Sequence, residues 1–362
     1  MRGWPAPPSF SVNGESRHVR FVVAGPSVAC ATVLIVDDFS ACPWPGERSV
    51  VTIGAYDGLH VGHRTIIDKV VDRARRDGSK SVLVTFDRHP ASLVRPESAP
   101  KLLTDHEQKI ELLRDTGLDA VAVVRFDAEQ AAESPQEFVT RVLVRCLGVA
   151  HIIVGSDFHF GRGRAGNVEL LTTLGVHGPG FTVEPVSLIA GHTGVTASST
   201  EIRRLLMAGQ IEDANVMLGR RFELRGVVAH GDARGRTIGF PTANVEVPAW
   251  MCVPGDGVYA AWYVRPGHEL PLPAAVNIGR RPTFYENAPV SLIEAHVIES
   301  GDTQPGNTQP GNTQPGNLDL YGEVAHIRFV ARLRGEQKFD GLEALKSQLT
   351  LDIAAARQAL SI

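Results

Sequence analysis

Hydrophobic residues from Ser49 onwards form short β-branched runs, which alternate with longer segments whose apolar residues recur every three or four positions. This alternation is typical of a parallel sheet flanked by helices, so we expect a doubly wound α/β domain. The predicted strands are Ser49–Ile53, Val82–Phe86, Ala120–Phe126, Ile152–Val154 and Phe181–Pro185. The predicted helices are Thr65–Arg76, His106–Asp115 and Pro135–Leu147.

Beyond Gly219 the pattern changes to short strands interrupted by Gly and Pro, which indicates a small antiparallel β-barrel. The strands predicted there are Phe222–Val228, Val258–Val264, Ala274–Ile278, Leu292–Ile298 and Ala325–Phe329. In Gly341–Leu360 apolar residues at helical spacing predict an amphipathic helix that caps the barrel. These residues are Leu342, Leu345, Leu349 and Ile353. We place the boundary between two domains, 31–215 and 220–362, near Asn215–Arg221.

The first thirty residues lie outside this pattern. Phe21–Val36 is uncharged and follows two arginines, as in a signal peptide. A Gly-Pro pair interrupts the apolar run, however, and the stretch is short for a membrane helix. We therefore expect a flexible extension over residues 1–30, an edge strand at Ala31–Val36 and a cytoplasmic protein, with export as the alternative.

The composition of the chain restricts its partners. Its 362 residues exceed what one hydrophobic core usually organises, in agreement with two domains. The formal net charge is −4 and the basic residues form no continuous stripe, so neither nucleic acid nor an anionic membrane is favoured as a partner. The four cysteines include no C-x-x-C pair, which argues against a zinc site or a disulfide framework and agrees with a reducing cytosol.

A glycine-rich turn, Gly54–His63, follows the first strand of the α/β pattern and precedes a helix. Glycines let the backbone approach a triphosphate, and the free amides of a helix start attract anionic oxygens. His60 and His63 are three residues apart, so both imidazoles can face an α-phosphate. An isolated H-x-x-H pair is often structural, but the strand and the glycine turn before it favour a nucleotide site.

A second segment, Thr196–Arg203, carries Ser198 and Glu201 at the spacing of a capping box. Its simplest interpretation is therefore a well-formed helix start. Arg203 adds a possible function, because a guanidinium in the first turns of that helix can bind phosphate oxygens bidentately.

Two more loops follow predicted strands. Gly155–Gly161 contains Phe158 and Phe160, and Thr85–Pro90 occupies the equivalent end of another strand. Ligands of open parallel sheets bind beyond the carboxyl ends of the strands, so the aromatic loop is a candidate site for a planar ring. The alternative is a loop that only packs.

The second domain contains Gly239–Asn244, which ends in Pro-Thr-Ala-Asn and is compatible with an ordinary turn. The oxygens of Thr242 and Asn244 are also hard, neutral ligands suited to Mg²⁺ that already carries ATP phosphates. Glu294 is the acid in a predicted strand of alternating pattern. A carboxylate held there can accept the proton of an attacking hydroxyl.

In this order and spacing the motifs resemble the prokaryotic bifunctional riboflavin kinase/FAD synthetase family, over about Ala31 to Arg357. The segments that resemble the FMN adenylyltransferase half are Gly54–His63, Thr85–Pro90, Gly155–Gly161 and Ser198–Arg203. The segments that resemble the riboflavin kinase half are Gly226–Asn244, Gly257–Ala260, Asn277–Phe284, Ile293–His296, Leu320–Gly322 and Phe329–Phe339. The resemblance implies a nucleotidylyltransferase-like (Rossmann-like) α/β parallel-sheet domain, followed by a small antiparallel β-barrel kinase domain with a C-terminal helix.

The resemblance also implies substrates and roles. Riboflavin would be phosphorylated to FMN by ATP, and FMN adenylylated to FAD by a second ATP with release of pyrophosphate. His60, His63 and Arg203 would act on the ATP phosphates, and Glu294 would activate the ribityl hydroxyl. The other residues implied in binding ATP are Gly54, Tyr56, Gly62, Ser198, Ser199, Thr200, Gly235, Thr242 and Asn244, the last two together with Mg²⁺. Those implied in binding flavin are Asp157, Phe158, Phe160 and Arg280.

The sequence departs from the family pattern at three notable positions. Tyr56 stands where Phe is usual, Arg88 where Pro is usual, and Asn167 where Asp is common. These departures leave open a paralogue that retains one activity or accepts an altered flavin or nucleotide. A flavin- or nucleotide-binding regulator with dead sites would be expected to have lost a key side chain, and all of them are present. The oligomeric state stays open.

A low-complexity insertion, residues 301–318, contains the pentapeptide TQPGN three times. Its Gly and Pro content and its lack of apolar residues give it no core to join, so we interpret it as a solvated loop between two strands.

Deleting the three TQPGN copies is expected to leave the fold and the kinase activity largely intact, because the free-energy cost of loop closure depends only logarithmically on length. The measurement is FMN formation by the deletion variant, with circular dichroism as the control for folding. A folded variant that makes no FMN would mean that the insertion belongs to the site.

Overall fold

The computed structural model describes residues 33–178, 180–187, 197–230, 238–268, 270–279, 290–298 and 320–362. Several predictions lie outside the described residues, namely the extension over residues 1–30, the TQPGN repeats, Gly235 and Arg280.

A six-stranded sheet organises the first part of the chain, and every neighbouring pair of its strands is parallel. Its strands are β1 (Leu34–Val36), β2 (Ser49–Ile53), β3 (Lys80–Phe86), β4 (Ala120–Val124), β5 (Val149–Gly155) and β8 (Thr182–Val186), and a short antiparallel pair is formed by β6 (His159–Phe160) and β7 (Gly166–Asn167). The order across the sheet is β1-β4-β3-β2-β5-β8. The chain therefore builds outwards from β2 on one side and then crosses to β5 on the other, which places the topological switch point between β2 and β5.

Helices cover the sheet on both faces, as the periodicity predicts. They are α1 (Val61–Asp77), α2 (Ala91–Val94), α3 (His106–Arg114), α4 (Ala128–Ala132), α5 (Pro135–Phe138), α6 (Val168–His177), α7 (Ser199–Met207) and α8 (Ile211–Leu218). Short 3-10 turns lie at Pro96–Ser98 and Arg162–Arg164. The predicted helix Pro135–Leu147 is α-helical only in its first turn and continues as a π-helix over Val139–Cys146.

The second part is a closed antiparallel barrel with strand order β10-β13-β12-β11-β14-β9. Its strands are β9 (Phe222–Ala229), β10 (Ala243–Pro248), β11 (Gly257–Val264), β12 (Leu272–Ile278), β13 (Val290–Val297) and β14 (Val324–Arg334). Side chains alternate between the barrel core and its outer face, so Val245 is fully buried inside whereas Glu246 is exposed outside. Strand β10 is not among the strands predicted from the sequence, because its first two residues belong to Pro-Thr-Ala-Asn, which is also compatible with a turn.

The C-terminal helix α9 (Leu342–Leu360) crosses the outside of the barrel. Only its second half packs tightly, where Ile353, Ala356 and Leu360 contact small residues of the strands. In its first half Leu345 and Leu349 line an open cavity instead. The apolar face that is predicted to cap the barrel thus lines a cavity in the first half of α9 and packs on the barrel in the second half.

The parallel-sheet part and the barrel are closely joined. Helices α7 and α8 share one hydrophobic cluster with the barrel interior, so this packing crosses the boundary that the sequence suggests near Asn215–Arg221. Leu102, from the segment before α3, forms a bridge with Met251 of the barrel. A half-buried Arg225 also bonds Glu111 of α3 and Glu223 of β9, which adds an ionic link across the junction.

Candidate functional site

Three of the predicted motifs meet at one edge of the sheet. Gly54–His63 follows β2, Thr85–Pro90 follows β3, and Gly155–Gly161 follows β5. Since β3, β2 and β5 are neighbours and parallel, their carboxyl ends lie side by side. The fold therefore brings these three loops together at the switch point, as the sequence predicted.

The turn after β2 is tightly constrained. Gly58 has φ of 80°, and a Cβ there would lie 2.7 Å from the Leu103 side chain, so only glycine fits. Tyr56 and Leu59 also have positive φ values of 50° and 37°. Non-glycine residues in this region carry backbone strain, which the surrounding structure must hold in place.

The two histidines of this turn lie at the start of α1. His60 is the N-cap residue, and its Nδ1 accepts a hydrogen bond from the backbone N–H of His63 at 3.3 Å. Their rings stack with centroids 3.6 Å apart. Burial, followed by the positive charges of Arg220 and Arg203, lowers the pKa of His60 to about 4. Burial, with a contribution from His60, also holds the pKa of His63 well below its usual range.

These values make His60 a neutral hydrogen-bond donor near pH 7. Because its Nδ1 accepts a hydrogen, the proton of the neutral ring must reside on Nε2. The free Nε2–H can then donate to an oxygen outside the turn. A neutral donor at a helix N-terminus suits a phosphate oxygen, since the helix dipole favours negative charge there.

Asp57 fixes the turn to the rest of the molecule. Its buried carboxylate accepts hydrogen bonds from the backbone N–H of Leu103 at 3.0 Å and of Thr104 at 3.1 Å. It also forms an ion pair with Arg203 of α7. The sequence predicted Arg203 as a phosphate ligand; its guanidinium is already engaged by Asp57 and by the carbonyl oxygen of Lys101.

Helix α7 begins beside the turn. Ser198 is its N-cap and accepts from the N–H of Glu201 at 3.2 Å. The Glu201 carboxylate binds Arg204, so this interaction takes the place of the reciprocal half of the predicted capping box. Ser199 donates to the Asp57 carbonyl at 2.9 Å, and Thr200 is exposed.

Two glycines of the turn allow close approaches. A Cβ on Gly62 would lie 3.3 Å from the carbonyl oxygen of Ala197, just before α7, so Gly62 lets the starts of α1 and α7 approach each other. A Cβ on Gly54 would lie 3.0 Å from the Tyr56 ring. The Tyr56 hydroxyl is buried and bonds Thr52 at 2.5 Å, and its ring centroid lies 4.8 Å from that of His63. The phenol that replaces the usual Phe thus faces the interior and supports His63.

The predicted planar-ring loop has a mixed character. Phe158 and Phe160 stack with centroids 5.4 Å apart. Phe160 is buried and packs on Phe138 and Gly166 in the core of the sheet, whereas Phe158 is half-buried and Asp157 is exposed. Phe158 and Asp157 are therefore the members of this set that a ligand can reach.

A second candidate site lies on the outer face of the barrel, under the first half of α9. It is a cavity of about 880 Å³. Strand register places Glu294 of β13 directly between Asn244 of β10 and Asn277 of β12. All three line the cavity, together with Thr242. This size and this mixture of polar and apolar walls suit a small organic ligand.

A hydrogen bond from β13 fixes the segment before β10. His296, two residues after Glu294 on the same face of β13, donates through Nδ1 to the carbonyl oxygen of Pro241 at 2.7 Å. This bond holds the exposed Thr242 next to the buried Asn244. Within the described residues no group of three or more His, Cys, Asp or Glu side chains could hold a metal ion.

Sequence reasoning missed several residues that shape these sites. Asp57 lies within a predicted motif but was assigned no role, and its acidic side chain among glycines was the available signal. Asn277 and His296 could have been found from the period of two in their strands, once Glu294 was placed on the outer face. Lys109 is buried behind the turn, where burial lowers its pKa to about 8 and its Nζ donates to the Phe86 carbonyl at 2.8 Å.

Comparisons with known proteins agree with this two-part arrangement. A family model described as FAD synthetase matches residues 43–201, and one described as riboflavin kinase matches residues 218–360. A bifunctional riboflavin kinase/FMN adenylyltransferase of Escherichia coli (strain K12) is 36% identical over 87% of this chain and 93% of its own length. One of Pseudomonas fluorescens is 37% identical over 85% of this chain and 92% of its own length.

A solved structure from Streptococcus pneumoniae, described as a macrolide-efflux protein, has a TM-score of 0.72 at 26% identity and covers 90% of this chain and 98% of its own. Among the helices that the structure describes, none has the length and apolar character needed to cross a membrane.

The depressed pKa of His60 predicts that the free energy of unfolding falls as pH decreases from about 6.5 towards about 4. In that window the unfolded chain binds a proton that the native imidazole does not. Between pH 7 and pH 5 the loss from this residue is expected to be about 2 kcal/mol. Urea unfolding of the wild type and of His60→Asn, which keeps a capping side chain, measures it. An equal pH dependence in both proteins would contradict the prediction.

Proposed function

This chain belongs to the bifunctional riboflavin kinase/FMN adenylyltransferase family, and from that premise we propose how its two sites divide the chemistry. The enzyme uses ATP to phosphorylate riboflavin to FMN, and it adenylylates FMN to FAD with release of pyrophosphate. The main support is that both family models match, one on each part of the chain. We assign adenylylation to the loops at the sheet edge within residues 31–215, and phosphorylation to the barrel cavity within residues 220–362.

In the adenylylation site a phosphate oxygen of FMN attacks the α-phosphate of ATP, and the bond to the β-phosphate breaks. The proposal places the ATP phosphates at the start of α1, where the Nε2–H of His60 donates to a phosphate oxygen. His63, stacked on His60, completes the imidazole pair. Hydrogen-bond donors fixed in place before the reaction stabilise the charge that develops on the phosphate without further reorganisation.

Arg203 has two roles in this proposal. Its ion pair with Asp57 sets the position of α7 against the turn, and the free edge of its guanidinium supports the phosphates. The exposed Asp157 and the half-buried Phe158, one strand away, are proposed to contact the flavin of FMN. Their position after β5 supports this assignment, because β5 borders the switch point.

In the kinase site the terminal ribityl hydroxyl of riboflavin attacks the γ-phosphate of ATP, the bond to the β-phosphate breaks, and ADP leaves. Glu294 is proposed to accept the proton of that hydroxyl. The side-chain amides of Asn244 and Asn277, on the two flanking strands, give this carboxylate a polar environment. The apolar side of the cavity, from α9, gives the isoalloxazine ring a surface to contact. A base positioned in this way typically contributes about 10²–10⁴-fold to the rate.

Magnesium is proposed as the metal that accompanies ATP in the kinase reaction. Thr242 and Asn244 would hold it, since hard oxygen ligands at the cavity rim suit a cation bound mainly by phosphate. When bound, the ion offsets the negative charge of the phosphates during transfer.

We further propose a cytoplasmic location, because both reactions consume ATP, and no partner in nucleic acid or membrane. The proposed binding partners are the small molecules riboflavin, FMN and ATP. These assignments rest on the chemistry of the reactions and on the small, unpatterned net charge of −4.

Glu294→Gln is expected to reduce FMN formation from riboflavin by about 10²–10⁴-fold, since it removes the base and keeps its size. FAD formation from supplied FMN should persist, because that reaction uses the other site. Chromatography of FMN and FAD, after separate incubations with riboflavin and with FMN, measures both. Glu246→Gln, the same change at an exposed position of the barrel's outer face, is the matched control and should alter neither.

His63→Ala is expected to give the opposite pattern, with FAD formation lowered by about 10²–10³-fold while riboflavin still becomes FMN. His177→Ala, an exposed histidine at the end of α6, is its control. Equal loss of both activities in a folded Glu294→Gln or His63→Ala protein would show that the division of chemistry between the two parts is wrong.

A further inference from the structure

Arg220 occupies an unusual place between the two parts of the enzyme. It follows Gly219, which ends α8 in the left-handed conformation with φ of 67°. A Cβ on Gly219 would lie 2.9 Å from the side chain of Val61, the first residue of α1. The chain that enters the barrel thus passes directly against the helix start at which the ATP phosphates are proposed to bind.

The Arg220 guanidinium is largely withdrawn from water, and no hydrogen-bond partner for it lies within the part of the chain that the structure describes. Its Nη1 is buried and has no hydrogen-bond acceptor among the described residues. Burial, followed by the charge of Arg64, lowers its pKa to about 10, although Glu223 and Asp57 act in the opposite direction. Arginine is very rarely buried without a paired anion, because the lost hydration of the charge is not replaced.

Both nearby carboxylates are engaged elsewhere. Asp57 is paired with Arg203, and Glu223 accepts hydrogen bonds from Arg225 at 2.8 Å and from Arg328 at 2.6 Å. The positive charge of Arg220 is nevertheless close enough to His60 to depress the pKa of that imidazole. Of the two guanidiniums that act on His60, Arg203 is paired with a protein carboxylate, and Arg220 has no such pair among the described residues.

We infer that Arg220 binds the polyphosphate of ATP during adenylylation and holds the pyrophosphate that leaves. The inference rests on the proposed adenylylation site and adds to it a ligand from outside the four sequence motifs. An anion at the start of α1 supplies the acceptor that the buried Nη1 lacks. It also gives the charge of Arg220 a partner in a largely buried position, where charge-assisted hydrogen bonds are strongest.

The test is the affinity of the full-length protein for inorganic pyrophosphate, measured by titration calorimetry. Arg220→Gln is expected to weaken binding about 10- to 100-fold, the effect of losing charge-assisted hydrogen bonds to a phosphate. The matched control is Arg221→Gln, because the neighbouring guanidinium lies over the Trp262 ring, 5.9 Å from its centroid, and is exposed. It should bind pyrophosphate as the wild type does. Equal affinity in all three proteins would overturn the inference.

A structural role of Arg220 is distinguished by Arg220→Lys, which keeps the charge. Recovery of most of the pyrophosphate affinity in Arg220→Lys, at an unchanged KM for FMN, supports a phosphate contact. A loss in Arg220→Lys as large as in Arg220→Gln, with a matching fall in melting temperature, would assign Arg220 to packing and overturn it. Pyrophosphate binding needs no turnover, so a wild type that binds pyrophosphate and makes no FAD would contradict the proposed function alone.

Discussion

The buried ion pair between Asp57 and Arg203 determines how the adenylylation site is built. Asp57 belongs to a turn with positive φ values, and its carboxylate also accepts hydrogen bonds from the backbone N–H groups of Leu103 and Thr104. Arg203 fixes α7 to the same carboxylate. Removing one partner of such a pair leaves an uncompensated charge, which typically costs about 3–5 kcal/mol. The pair therefore holds the strained turn, the start of α7 and the segment that reaches the barrel in one arrangement.

The same pair explains why the site depends on the barrel although its motifs lie in the parallel-sheet part. Leu103 is buried in the cluster that α7, α8 and the barrel interior share, and its neighbour Leu102 bridges to Met251. A change in how the barrel packs would thus reach Asp57 through two residues. The described part of the phosphorylation site is instead built from the barrel itself, since Glu294 lies on the outer face of the barrel and is flanked by the barrel's own strands.

The sequence predicted the fold class well because hydrophobic periodicity is local. The apolar runs of β2 to β5 and the helical spacing of α1 and α3 required no knowledge of distant residues. Strand β10 was missed because Pro-Thr-Ala-Asn also satisfies the chemistry of a turn, and only its pairing with β13 decides between the two. The rule that ligands bind at the carboxyl ends of parallel strands is enough to bring the motifs together. The inward-facing hydroxyl of Tyr56, in contrast, depends on a hydrogen bond with Thr52 that no sequence pattern indicates. Phe160 is predicted to bind flavin from the motif alone, and only the folded structure shows that its ring is buried in the core beside the sheet.

Charge was the property that sequence reasoning handled least well. Arg203 and Arg220 are the same residue type, and the motif drew attention to the first. Which guanidinium is available to a ligand depends on which carboxylates are already occupied, and that is a property of the folded network. Asp57 pairs with Arg203, and Glu223 pairs with Arg225 and Arg328, so of the two guanidiniums that act on His60 the one without a carboxylate partner among the described residues is Arg220. A neutral imidazole beside an unpaired guanidinium forms a site with strong attraction for an anion and little intrinsic negative charge of its own, as the binding of a polyphosphate requires.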